Sequence, residues 1–281
     1  MEHRSPVVRY LGTLLTYAAV VAGAVVMLVP FLWMVNASLM TPGEIQARPP
    51  VWFPAEPQFN TYARLVEVMP IFRLYGNSLF VAIATTVGVL FTSSLAGFAF
   101  AKYDFPGKNV LFVLILATMM VPFFVTLIPV FFIVRQLGWI NTYQGLIVPG
   151  IISAYGIFLM RQFISTLPDE LLDAARIDGA SEPRIFYSIL MPLVTPALAT
   201  LGTFTFIASW NNFLWPLLIA TDRDLHTLPL GLNALRTFAA EARNLDLLMA
   251  GTTLSVLPAL ILFIFLQRYF VKGIALTGVK G

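Results

Sequence analysis

Between Arg161 and Arg184 the chain holds eight charged side chains: Arg161, Asp169, Glu170, Asp173, Arg176, Asp178, Glu182 and Arg184. Carboxylates and guanidiniums at this spacing can form ion pairs and hydrogen bonds, among themselves or with a partner. Covalent chemistry has no comparable candidate, since no catalytic cluster is visible in the sequence. A charge at a bilayer centre costs roughly 2.5–3.5 kcal/mol, so inserting this stretch would cost over about 20 kcal/mol. It is placed in water or against another protein.

The pattern within it predicts two short helices joined at a bend. Pro168 followed by Asp169 and Glu170 opens the first, because proline loses no hydrogen bond in a first turn and acids there meet the positive end of the helix dipole. Leu171, Ala174 and Ala175 are expected on one narrow apolar face, its two alanines allowing close approach of another surface. Gly179 can take a positive φ and end the helix. Ser181, Glu182 and Pro183 open the second, whose stripe is Ile185, Phe186, Ile189 and Leu190 as far as Pro192. The expected product is a water-exposed helical knob.

The rest of the chain is the membrane context that must position this knob. Of 281 residues 58% are hydrophobic and 11% charged, which excludes an ordinary soluble globule and predicts an all-α, polytopic membrane protein. With no cysteine and only His3 and His226, neither a disulfide framework nor a metal site is expected. No basic stripe interleaved with aromatics suggests a nucleic-acid partner, and the net charge of +3 fits loops beside anionic lipid.

Six spans are predicted: 10–35, 76–100, 109–134 with Pro122 and Pro129 inside, 145–160, 193–220 and 249–270. The first run is longer than the apolar part of a cleavable leader, and no small-residue cleavage site follows it. The proline-rich segment 36–75 is expected to be an ordered loop with a short interfacial helix near 62–68. The segment 221–248 is expected to be a polar loop. With both termini inside, the inner segments carry ten of the 17 lysines and arginines, including all four lysines. Termini and knob are therefore expected to be cytoplasmic.

Ser209, Trp210, Asn211 and Asn212 form a polar patch in the fifth run. Such a patch suits a solute pathway for sugar hydroxyls and the apolar face of a ring. It also suits structural bonding between helices and the interfacial preference of tryptophan. Asp222, Arg223 and Asp224 look like an acid pair for catalysis, but in an outer loop they read as a solvated run or a binding-protein contact. No G-x-x-x-x-G-K-[ST] occurs, because the Pro106-Gly107-Lys108-Asn109 turn lacks the leading glycine and the hydroxyl residue.

Asp173-Ala174-Ala175, three residues, Gly179, nine residues, then Ile189-x-Met191-Pro192 resembles the EAA signature of the membrane subunits of binding-protein-dependent ABC importers. Asp173 stands where that signature has glutamate, and Met191 where it has leucine. Asn77-Ser78-Leu79, the run from Trp210 to Leu217, Thr227-Leu228-Pro229-Leu230-Gly231-Leu232 and the tail from Gln267 are similar to the carbohydrate branch of the same family.

The resemblance implies a type I importer permease fold: residues 1–70 as a first span and outer loop, 71–267 as the core with its coupling loop at 161–192, and 268–281 as a cytoplasmic tail. It implies that Glu170, Asp173, Ala174, Ala175, Asp178, Gly179 and Pro192 couple the chain to an ABC ATPase dimer, with ATP and Mg held there and no cofactor in this chain. It further implies a second homologous permease, an extracytoplasmic solute-binding protein, a bacterial inner-membrane location, and a sugar, oligosaccharide or polyol as cargo. A phosphorylated polyol such as glycerol 3-phosphate is the alternative cargo. An ion-gradient-driven carrier is the alternative class, and the absence of charge within the spans speaks against it.

Overall fold

The computed structural model describes residues 6–242 and 244–277. The described residues form helices and no strand: α1 (Pro6–Ala37), a single turn at Pro42–Ile45, α2 (Asn60–Val68), α3 (Ile71–Lys102), α4 (Lys108–Thr118), α5 (Phe123–Gln136), α6 (Tyr143–Ile147), α7 (Ala154–Ser165), α8 (Asp169–Ile177), α9 (Glu182–Leu193), α10 (Thr195–Trp210), α11 (Leu214–Ile219), α12 (Leu228–Ala242) and α13 (Leu245–Thr277). Three helices are long and apolar enough to cross a membrane unbroken, over Gly12–Ala37, Ile71–Lys102 and Leu245–Gln267. Counting each of three bent helix pairs as one span, the described residues provide six.

Three of the expected spans are not straight. The third, expected as one run from Asn109 to Val134, is α4 and α5 at 100°. Pro122 has no N–H and steers the preceding residue out of helical backbone. The last amides of the α4 end, those of Met119, Met120 and Val121, accordingly turn to carbonyls three residues back. Pro129, by contrast, lies inside α5 without a break. The fourth span bends by 45° before α7, where the Ser153 hydroxyl accepts from the Gly156 amide and opens the new helix.

The fifth bends by 80° between α9 and α10, and α10 then stops at Trp210. A single span from Leu193 to Ala220 is therefore corrected to a helix, an interruption at 211–213, and α11. The polar loop expected at 221–248 is corrected too. It contains α12, whose residues Leu228, Leu235 and Ala239 are buried at helical spacing beneath a polar outer face.

The chain divides into two units. The first comprises 1–70 and 232–257. There the Ser38 and Tyr62 hydroxyls bond at 2.8 Å, Trp33 meets Trp52 edge-on, and Arg64 pairs with the buried Asp246 at 2.8 Å.

The second unit comprises 71–231 and 258–281, and its centre is the contact of α3 with α7. A Cβ added at Gly88 would fall 2.7 Å from the Ile151 side chain, one at Gly156 2.3 Å from the Ser93 hydroxyl, and one at Gly97 2.7 Å from the Met160 Cβ. The pairs 88 with 151, 93 with 156 and 97 with 160 keep one constant offset. The α3 rod and the 151–165 stretch therefore run parallel, in register, with small residues letting the backbones close up. Their C-terminal ends emerge together at the charged stretch.

Candidate coupling knob and intramembrane cavity

At that end α8 begins at Asp169 and closes on Gly179 with φ +77°. The Gly179 amide donates to Arg176 and the Ala180 amide to Ala175, the two bonds of a Schellman close. Helix α8 is anchored by Leu172 and Ala175, which are buried in one cluster with Ile185, Phe186 and Leu190 of α9, Met160 and Ile164 of α7, and Phe98 of α3. The apolar face expected at Leu171, Ala174 and Ala175 is thus rotated by one residue. Leu172 and Ala175 point inward, whereas Leu171 is 46% and Ile177 86% exposed, and Ala174 is exposed beside them. The one-residue shift arises because α8 must cover α9, not only its own apolar maximum.

Glu170, Asp173, Asp178 and Gly179 are also on the exposed side. Pro192 lies near the bend between α9 and α10 and is exposed. Of the residues that carry the EAA-like spacing, the structure brings Asp173, Ala174 and Gly179 to the outer surface, while Ala175 is packed against the spans.

Polar contacts tie the knob to α3. The Lys102 ammonium, on a side chain only 5% exposed, donates to the Leu167 carbonyl at 2.5 Å and the Asp169 carboxylate at 2.6 Å. Lys102 holds the Asp169 carboxyl below its ordinary pKa, mainly by that hydrogen bond. Arg176 donates to Asp173 at 3.0 Å and to Glu182 at 2.9 Å, joining α8 to α9. Glu182 also pairs with the Tyr103 hydroxyl. The Arg176 and Tyr103 bonds lower the Glu182 pKa, while Tyr103 is raised, first by burial and then by the carboxylate beside it. Neither Lys102 nor Tyr103 stands out in the sequence, because each owes its role to partners some 65 to 79 residues away.

At the opposite end of α3, a second polar group of contacts holds the loop before α12. Asn77 donates to the Asp224 and His226 carbonyls, both at 2.8 Å, and accepts from the Tyr143 hydroxyl at 2.7 Å. The Ser78 hydroxyl accepts from the Leu228 amide. Asp224 pairs with Arg73, and Asp222 accepts from the Asp224 amide, so the two acids are engaged structurally and do not face one another as a catalytic pair.

Between these ends lies a cavity of about 330 Å³. Its wall draws Val81 and Thr85 from α3, Thr126 and Val130 from α5, Pro149 and Gly150 before α7, Thr205, Ala208 and Ser209 from α10, and Asn212 and Trp215 around the α10–α11 interruption. Of the four patch residues, Ser209 and Asn212 line this space. Trp210 is buried behind it, stacked on Phe206 and packed against Tyr75. Asn211 is exposed and bonds the Ile207 carbonyl. The threonines were missed because they come from three segments distant in sequence.

Residues 88–276 match the family described as "Binding-protein-dependent transport system inner membrane component". The arabinooligosaccharides transport system permease protein AraQ of Halalkalibacterium halodurans is 44% identical over 207 residues, 74% of each chain. Its namesake from Bacillus subtilis is 42% identical over 224 residues, 79% of each. The sn-glycerol-3-phosphate transport system permease protein UgpE of Escherichia coli is 35% identical over 268 residues, 93% of this chain and 95% of that one. A chain from the crystal structure of a bacterial ABC transporter involved in the import of the acidic polysaccharide alginate has the same fold, with a TM-score of 0.83 at 24% identity, covering 96% of this chain and 100% of that one.

Helical spans interrupted at an intramembrane cavity, with a compact polar knob at one end, define a membrane subunit of a transport system. This chain belongs to the family of inner-membrane components of binding-protein-dependent transport systems. It is a multi-pass ABC importer permease, a transport subunit.

Proposed function

We propose that this chain carries a sugar, oligosaccharide or related polyol into the bacterial cytoplasm, coupled through its knob to an ABC ATPase dimer that binds and hydrolyses Mg-ATP. A second homologous permease completes the membrane channel, an extracytoplasmic binding protein delivers the solute, and both termini and the knob face the cytoplasm. The observation that carries the coupling is the outward side of α8. Ile177 at 86% and Leu171 at 46% exposure sit among acids in a segment too charged for lipid, so their apolar area needs a protein partner. Closure of the ATPase dimer displaces the knob as a rigid body, and the spans follow because knob and spans share one core.

The AraQ relatives favour an oligosaccharide cargo. The UgpE relative supports glycerol 3-phosphate as a second reading, on the strength of near full-length similarity. The solute passes beside Ser209 and Asn212, with Trp210 and Asn211 shaping that wall from outside the cavity.

The test is to express the chain with its neighbouring transport genes and purify it by a tag. Native chain should retain an ATPase subunit, and Ile177→Glu should lose it while remaining in the membrane. Full retention by Ile177→Glu would refute docking on this side of α8.

A further inference from the structure

We infer that the intramembrane cavity is a recognition subsite for a single uncharged, polyhydroxylated ring, and that Thr85, Thr205, Ser209 and Asn212 supply its hydrogen bonds. This rests on the transport reading above and narrows its cargo. The cavity's volume of about 330 Å³ lies at the lower end of the ~300–1,000 Å³ usual for small-molecule sites, enough to seat one ring.

Hydroxyls in membrane helices ordinarily turn back on their own backbone, because lipid offers no alternative. Several of this chain do so. Thr86 bonds the Ala82 carbonyl at 2.6 Å, Ser94 that of Leu90 at 2.6 Å, Thr200 that of Pro196 at 2.9 Å and Thr203 that of Ala199 at 2.7 Å. On the cavity wall Thr126 keeps this habit, bonding the Phe123 carbonyl at 2.9 Å, but three other hydroxyls depart from it. Thr85 is 8% exposed, one residue before Thr86, and its hydroxyl has no partner. Thr205 and Ser209 make no such bond among the described residues either. The Asn212 carbonyl accepts from the Trp215 amide at 3.3 Å, which leaves its NH₂ for the cavity. Ser93 is also unpaired, but it is pressed against Gly156 in the α3–α7 contact and lines no space.

A buried hydroxyl without a partner costs about 1–3 kcal/mol, which applies here to Thr85; with the half-buried Thr205 and Ser209 hydroxyls facing the same space, it points to a ligand or water that satisfies them. The wall carries no Lys, Arg, His, Asp or Glu. A phosphate or carboxylate would enter with its charge unpaired at large cost, whereas a sugar hydroxyl both donates and accepts, as threonine, serine and asparagine require. Val81, Val130 and Trp215 offer apolar surface to the C–H faces of such a ring. The Trp215 ring is fixed by its own bond to the Gly145 carbonyl at 3.0 Å.

The chain contains no cysteine, so Ala208→Cys, at a wall residue that supplies no hydrogen bond, introduces a thiol unique within this chain. In membranes holding the whole transporter, its modification by a water-soluble methanethiosulfonate should slow at least fivefold in a concentrated mixture of neutral pentoses and hexoses. Equimolar glycerol 3-phosphate should leave the rate unchanged. Adding Thr85→Val, which removes the hydroxyl while keeping the shape, should abolish protection, and a thiol at Thr200 should never be protected by sugar. Failure of the reagent to reach Ala208→Cys in transporter shown intact by native gel, equal protection by glycerol 3-phosphate, or full protection retained with Thr85→Val would each overturn the inference. The readout involves no ATP, so a knob that fails to bind an ATPase leaves it unaffected.

Discussion

The Lys102 ammonium lies 2.6 Å from the Asp169 carboxylate and 2.5 Å from the Leu167 carbonyl, so the last turn of α3 is fastened to the entry of α8. Helix α3 is unbroken, and about 25 Å of it separates Lys102 from Thr85 at 1.5 Å per residue. The spans beside it are bent by 100°, 45° and 80°. Among these elements α3 is the straight rod that touches both knob and cavity.

Lys102→Met should therefore uncouple the two ends. Uptake per ATP hydrolysed, measured in proteoliposomes of the whole transporter, is expected to fall severalfold while ATPase activity persists; an unchanged ratio would show that α3 does not carry the motion. Asp169→Asn should be milder, because Lys102 keeps the Leu167 carbonyl. The Asp169 pKa is lowered in the folded chain, so its contribution is complete above the unfolded value of about 3.9 and fades as pH falls through the lower folded value. Coupling through this pair should be flat from about pH 5 to 8.

Gly179 is expected to tolerate asparagine and not valine. Its φ of +77° is the constraint, since an added Cβ would meet nothing within 4 Å. A left-handed backbone costs an ordinary L-residue about 1–2 kcal/mol, with asparagine among the residues that visit it routinely. Gly179→Val should insert normally yet lose uptake, and Gly179→Asn should retain most of it. Equal loss in both would mean that the surface at Gly179, not its backbone, is what matters.

The knob was the most legible part of the sequence because its signals are local. Proline and acids at 168–170, glycine at 179 and proline at 183 each act on their own turn, and the helices run from Asp169 to Ile177 and from Glu182 onward. Its inward face was not legible, since Leu171 and Leu172 differ only in what α9 covers. The α12 helix was hidden by exposed residues such as Asn233, Arg236 and Thr237 interleaved with its buried Leu228, Leu235 and Ala239. The cavity was half legible: Ser209 and Asn212 stood out as polar residues in a span, while Thr85 became notable only once its hydroxyl was seen to lack the backbone bond that Thr86 makes.

Glycines of α3 provide a stability contrast. At Gly97 a Cβ would sit 2.7 Å from the Met160 Cβ and 2.9 Å from the Arg161 amide nitrogen, whereas at Gly76 nothing lies within 4 Å. Gly97→Ala should push α3 from α7 and destabilise by about 1–3 kcal/mol. Gly76→Ala should be neutral or stabilising by about 0.5–1 kcal/mol, through helix propensity alone. Thermal unfolding of the purified complex in detergent checks both, and similar shifts for the two would refute the close packing.

The pairing of Arg64 with Asp246 predicts an asymmetry. The Asp246 side chain is 2% exposed and its second oxygen, Oδ1, has no partner, while the Arg64 side chain is 41% exposed. Removing arginine leaves a buried carboxylate uncompensated, which costs about 3–5 kcal/mol when both partners are buried and less here, where Arg64 is partly hydrated. Removing aspartate leaves only a cation that can turn to water. Arg64→Leu should therefore destabilise more than Asp246→Leu, and Arg64→Leu combined with Asp246→Leu should recover part of the loss because no buried charge is left. Melting temperatures of the three variants decide the matter. If the double variant falls by the sum of the two single shifts, the residues contribute independently, and the contact between α2 and the first turn of α13 would have to be held by packing around Leu65 and Leu247 instead.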